Sequence, residues 1–82
     1  MHEITIYGYP TCPHCLETAA LIVDMGFTYD YKSLVIQTNR QEVVSLAEKH
    51  GIRKEDILAP VVMIDGEVLI RPDEEVLRAT LS

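Results

Sequence analysis

A short apolar, β-branched run, Glu3 to Tyr7, is cut off by Gly8-Tyr9-Pro10, and a helix opens directly behind it at Cys12-Pro13. Glycine and proline end the strand. Proline is tolerated best at the first helical position, where its missing N–H has no intrahelical partner to lose. A strand feeding a helix this abruptly must lay that helix back on a sheet, which sets the chain in the α/β class. Leu16, Ala19, Ala20 and Val23 recur at helical spacing up to Met25, and Gly26 stops the helix. Phe27 to Leu34 reads as the returning strand.

The remaining segments complete a β-α-β-α-β-β-α order. Thr38-Asn39-Arg40-Gln41 has capping-box spacing, and Val43, Val44, Leu46 and Ala47 form the buried side of a helix ending at His50-Gly51. Ile52 to Ala59 is a loop or a short irregular helix. Pro60 to Ile64 is a strand, turned through Asp65-Gly66 into Glu67 to Ile70 as a two-residue hairpin. Asp73 caps a last helix with Glu74 and Glu75 in its first turn and Val76, Leu77 and Leu81 inward. The right-handed crossover rule gives a mixed four-stranded sheet flanked by three helices. With no low-complexity tract, repeat or linker, residues 1–82 read as one domain.

Charge excludes several functions. Seven Lys+Arg against 13 Asp+Glu give a net charge of −6 and a pI near 4.8, which argues against nucleic acid or an anionic membrane as partner. No apolar run approaches the roughly 20 residues of a membrane span, and no export signal is visible, so a cytoplasmic monomer is expected. Small secreted domains that lean on disulfides usually carry more cysteines than Cys12 and Cys15. With 48% hydrophobic residues the chain can build a core without them. They are free for chemistry.

Cys12-Pro13-His14-Cys15 at a strand-to-helix junction has the spacing of a redox pair. One helical turn separates the sulfurs, close enough to close a disulfide. Cys12 falls at the helix N-cap, where unsatisfied N–H groups and the dipole favour a thiolate. Such sites lower a thiol pKa to roughly 3.5–7.5 from about 8.5. Cys12 is thus the expected attacking nucleophile and Cys15, one turn in, the resolving thiol. No Lys or Arg precedes Lys32, so the helix must supply most of the stabilisation unless Arg40 or Arg71 arrives through the fold. His14, as an imidazolium, would add to it below about pH 6.5. Zinc needs about four ligands, and beyond the thiols only His2, His14 and His50 are at hand, so no metal site is expected. A purely structural bridge inside one turn would close almost no loop.

The stretch Tyr7-Gly8-Tyr9-Pro10-Thr11-Cys12-Pro13-His14-Cys15, with Ala59-Pro60-Val61 and Asp65-Gly66 beyond, resembles the glutaredoxins of the thioredoxin-like fold. The resemblance runs from about Glu3 to Leu81. It implies a thiol–disulfide oxidoreductase with no bound cofactor and glutathione as reductant. It also implies a cis Pro60 facing the motif, with Ala59 offering backbone groups to an extended peptide or to glutathione. Tyr9, Thr11, Arg71 and Asp73 complete the implied binding set. Two departures weaken the implied glutathione site: Leu69 to Asp73 lacks the usual glycine pair, and Tyr9 stands where many members have lysine. Arg71-Pro72-Asp73 is similar instead to the redoxins that serve ribonucleotide reductase and are recharged by thioredoxin reductase. Asp73 either meets a glutathione amine or caps its own helix. Cys-Pro-His-Cys also occurs in oxidising periplasmic disulfide-forming proteins, a likeness confined to the tetrapeptide. A binding module holding metal or an iron–sulfur cluster on the thiols is the reading from another class.

Tyr9, Pro10, Pro13, Ala59, Pro60 and Ile70 are expected to border Cys12 as an apolar docking patch, with Arg40 and Gln41 as further carboxylate binders. Leu16, Val23, Val43, Leu46, Val62, Ile64, Val76 and Leu77 are expected in the core.

Overall fold

The computed structural model describes residues 2–82. The elements are β1 (Ile4–Gly8), α1 (Pro13–Asp24), β2 (Asp30–Ser33), α2 (Gln37–Lys49), a short 3-10 helix (Lys54–Asp56), β3 (Val61–Ile64), β4 (Glu67–Ile70) and α3 (Glu74–Leu81). The sheet order is β2-β1-β3-β4; β1 and β2 run parallel, and the other pairs are antiparallel. This is the mixed sheet and element order read from the sequence.

Alternation along the strands divides the core in two. Ile4, Ile6, Val62 and Ile64 face α1 and α3 and bury Ile22, Leu77 and Leu81 among them. Tyr7 and Val61 point to the opposite face, against Leu34 before α2 and Val43 in its middle. The Asp65-Gly66 turn has positive φ at both residues (51° and 90°), the primed geometry whose twist suits a hairpin. Asp65 also holds the hairpin to β1, accepting from the Glu3 N–H at 2.8 Å. Both long helices end in the same Schellman motif. Gly26 (φ 86°) lets Phe27 N–H reach Ile22 O at 3.1 Å, and Gly51 (φ 75°) lets Ile52 N–H reach Ala47 O at 2.9 Å.

Four details depart from the sequence reading. The buried face of α1 is Cys15, Thr18 and Ile22, one step round from the expected stripe, and Leu16 and Val23 are more than half exposed. Apolar residues occupy both faces of this helix, so periodicity alone could not choose. The choice is made by Cys15, which must sit against Gly8. Val76 is likewise exposed, because Leu77 and Leu81 at i, i+4 already fill the α3 contact. The second strand is shorter than expected, since Phe27 and Tyr29 leave the sheet to pack on the first core. Finally, α2 begins at Gln37 with Ile36 as N-cap and no side-chain cap, so Thr38 caps nothing. The turn before it is tied by side chains instead: Asn39 Nδ2 donates to Ser33 O, and Arg40 Nη1 donates to Leu34 O and Val35 O.

Candidate active site

The turn after β1 closes when Cys12 N–H donates to Tyr9 O at 3.2 Å. This leaves Cys12 in extended backbone (φ −86°, ψ 116°) as the N-cap of α1, with Pro13 in the first turn. The Cys12 sulfur takes the capping role usually filled by a serine or aspartate oxygen: it accepts from the Cys15 N–H at 3.3 Å. Both cysteines are free thiols, Cys12 partly exposed and Cys15 fully buried. Cys15 lies directly over Gly8, where an added β-carbon would stand 2.6 Å from its sulfur. Only glycine lets α1 approach the strand this closely.

The two thiols are driven apart in acidity. Cys12 is held below its ordinary value by the Cys15 thiol, then by the backbone N–H groups of Cys15 and His14, and by the Arg71 charge, all against a smaller opposing effect of burial. Burial pushes Cys15 up, and its contact with Cys12 adds to the rise. His14 thus acts on Cys12 through its N–H, while the residue itself is exposed. Of the two distant cations named from the sequence, Arg71 acts on the pair; Arg40 instead ties the α2 turn through its Nη1 and lies on the groove beside Tyr9. Among the described residues, no three His, Cys, Asp or Glu side chains converge on a point that could hold a metal ion.

The Ala59–Pro60 peptide is cis, and Pro60 is buried at the head of β3. Arg71 follows β4 in left-handed backbone (φ 44°), a conformation that favours glycine. Its Nε donates to Ala59 O at 2.8 Å, and its own N–H donates to Pro60 O at 2.8 Å. The side chain therefore holds the Ala59 carbonyl, a group expected from the sequence to be offered to a peptide or glutathione. Tyr9 and Ala59 edge a groove of about 270 Å³ whose floor includes Leu34 and Val43 and whose rim carries Arg40 and Lys54. Tyr9, Pro10, Thr11 and Pro13 are exposed around Cys12, whereas Ile70 is half-buried with Ala59 in the second core. Asp73 caps α3, its Oδ1 accepting from Val76 N–H at 2.9 Å.

Two neighbours of the site carried no signal in the sequence. Lys54 reaches the groove only because the 3-10 helix brings it to the same groove as Tyr9. Tyr31 stands on the edge strand β2, yet its hydroxyl reaches the space above Gly8 beside the Cys15 sulfur. A tyrosine in an edge strand looks like any other, so neither could have been found by pattern.

A sequence profile described as Glutaredoxin matches residues 4–69, from the start of β1 into β4. The chain belongs to the glutaredoxin family. Membership supports a thiol–disulfide redox function. A search of curated proteins finds no significant match. Among solved structures, the fold is similar to a mutant of the thioredoxin-like protein BC3987 (TM-score 0.77, 23% identity, 98% of this chain and 100% of that one). It is also similar to the glutaredoxin of Archaeoglobus fulgidus (0.73, 22%, 99% and 87%). Glutaredoxin 1 from Francisella tularensis, complexed with cacodylate, aligns at 0.66 with 16% identity over 99% and 93%. At these identities the three likenesses concern the fold. No described helix is long and apolar enough to cross a membrane.

Proposed function

We propose that this glutaredoxin is a dithiol oxidoreductase that reduces disulfides through Cys12 and Cys15, with glutathione as its own reductant in the reducing cytoplasm. The observation that carries the reading is the unlike placement of two free thiols one turn apart, Cys12 partly exposed at the helix N-cap and Cys15 buried against Gly8. Cys12 as thiolate attacks one sulfur of the target disulfide, forming a mixed disulfide and releasing the first target thiol. Cys15 then loses its proton and attacks Cys12, so that the internal disulfide forms and the second target thiol leaves with that proton. Two electrons pass to the target, and two glutathione molecules restore the dithiol. Arg40 and Lys54 give the groove beside Tyr9 the charge that suits the carboxylates of an anionic tripeptide.

A second reading rests on Arg71. Its hydrogen bond to Ala59 O occupies half of the backbone pairing glutathione would use, and that favours a redoxin recharged by thioredoxin reductase and serving ribonucleotide reductase. Two coupled assays separate them, NADPH with glutathione and glutathione reductase against NADPH with thioredoxin reductase. Turnover in the first supports glutathione. Turnover only in the second assigns the redoxin role.

A further inference from the structure

The resolving thiol has a difficulty that the attacking thiol does not. Cys15 is fully buried, and burial disfavours its charged form, yet it must ionise to release the target. Nothing on its own helix helps, because α1 carries no cation and the N-terminal amides are directed to Cys12.

The neighbouring strands supply a candidate. Side chains at residues 4, 6 and 8 of β1 share the face on which α1 packs, and the parallel register sets Tyr31 of β2 beside Ile6. Gly8 has no side chain to fill its place in that row. The Tyr31 ring leans along the strand direction into the vacancy, and a β-carbon on Gly8 would lie 2.9 Å from its oxygen and 2.6 Å from the Cys15 sulfur. One glycine thus opens a slot that holds a phenol and a buried thiol side by side. A hydroxyl suits both states of that sulfur, accepting from the thiol and donating to the thiolate.

We propose that Tyr31 is the positioning residue of the resolving step, its hydroxyl donating to the Cys15 sulfur as that thiol ionises. This rests on Cys15 being the resolving thiol. The groups facing the slot leave room for the role. Cys12 before α1 raises Cys15 and Arg71 after β4 lowers it, as does a hydrogen bond from the Tyr9 backbone, while Cys12, Cys15 and Tyr29 all raise the Tyr31 phenol, with burial raising it most. Tyr31 therefore remains a protonated donor throughout the working range. The residue is 39% exposed on an edge strand, so the slot adjoins solvent that can take up the proton.

The effect has a definite size and sign. Losing one donor to the thiolate is expected to raise the Cys15 pKa by about one pH unit, a tenfold smaller thiolate fraction near neutrality. The more basic thiolate is also a better nucleophile, with a Brønsted slope of about 0.4–0.5, which returns about threefold. Resolution should therefore slow by about threefold at neutral pH.

Tyr31→Phe keeps the ring and removes the hydroxyl. In a Cys12→Ser background, the thiolate absorbance of Cys15 is titrated with and without the Tyr31→Phe substitution. In the full dithiol protein, reaction with the chromogenic disulfide dithiobis(nitrobenzoate) releases one aryl thiolate on attack by Cys12 and a second on resolution by Cys15. The expected result is a higher Cys15 pKa, a second phase slowed about threefold and a first phase unchanged; Tyr29→Phe should move neither. An unaltered titration overturns the proposal, as does equal slowing of both phases. A missing second phase in the wild-type protein defeats the resolving role of Cys15 itself, while the titration still reads the contact.

Discussion

At the scale of single residues, the site works by placing two identical side chains in unlike surroundings. The Cys12 sulfur ends a helix, and the Cys15 sulfur is pressed against a strand. Because the Cys15 thiol is the largest influence holding Cys12 down, Cys15→Ala should raise the Cys12 pKa, read as a shift to higher pH in its rate of alkylation. A Cys12 rate profile that stays in place would remove that coupling from the account. Gly8→Ala should cost about 1–3 kcal/mol as an overpacked contact, because the new methyl would stand 2.6 Å from the Cys15 sulfur; urea denaturation of the reduced protein measures it. Arg71→Gly is a balance of two effects. Releasing a left-handed non-glycine backbone returns about 1 kcal/mol, and losing the hydrogen bond to Ala59 O costs about as much. Stability should hardly change, while the freed carbonyl should strengthen glutathione binding, as measured by calorimetry.

At the scale of elements, caps and faces decide more than propensity. Asp73→Ala should destabilise the protein by about 1 kcal/mol through the start of α3, without altering the reaction of Cys12 with a small disulfide. Ile22→Ala should cost about 2–5 kcal/mol, whereas Leu16→Gln, on the exposed face of the same helix, should stay within about 0.5 kcal/mol. The contrast bears on what the sequence discloses. Element types and order were legible because Gly8-Tyr9-Pro10, Gly26, Gly51 and Asp65-Gly66 punctuate the chain by local chemistry. The face of α1 was not, because Leu16, Ala20 and Val23 are as apolar as Cys15, Ala19 and Ile22, and a tertiary contact with Gly8 broke the tie. The start of α2 was misread for a related reason. Its turn is closed by Arg40 and Asn39 reaching back to strand-end carbonyls, bonds that no cap pattern records.

At the scale of the whole molecule, the sheet brings together residues far apart in the chain. Cys12 and Cys15 were legible because their spacing carries the chemistry within one turn. Tyr31, Lys54 and the Arg71 contact were not, since they reach the site only through strand register and the hairpin. The acidic chain offers Cys12 one distant cation, Arg71, and even that ranks behind the hydrogen bonds of its own helix turn. Folding and ionisation are linked accordingly. Cys12 titrates lower in the folded protein than its ordinary value of about 8.5, so its thiolate stabilises the fold fully above that value. The contribution fades as pH falls through the folded pKa. Burial raises Cys15, which costs stability only at higher pH, so the gain appears between the folded Cys12 pKa and about 8.5. The reduced protein should therefore gain stability over Cys12→Ser as pH rises through that window, a difference that paired denaturant curves will measure. The most direct test of the account is the pH dependence of thiolate absorbance in the reduced protein. A first transition below the ordinary thiol value is expected, lost in Cys12→Ser, and a second above it. A single transition near the ordinary value would contradict it.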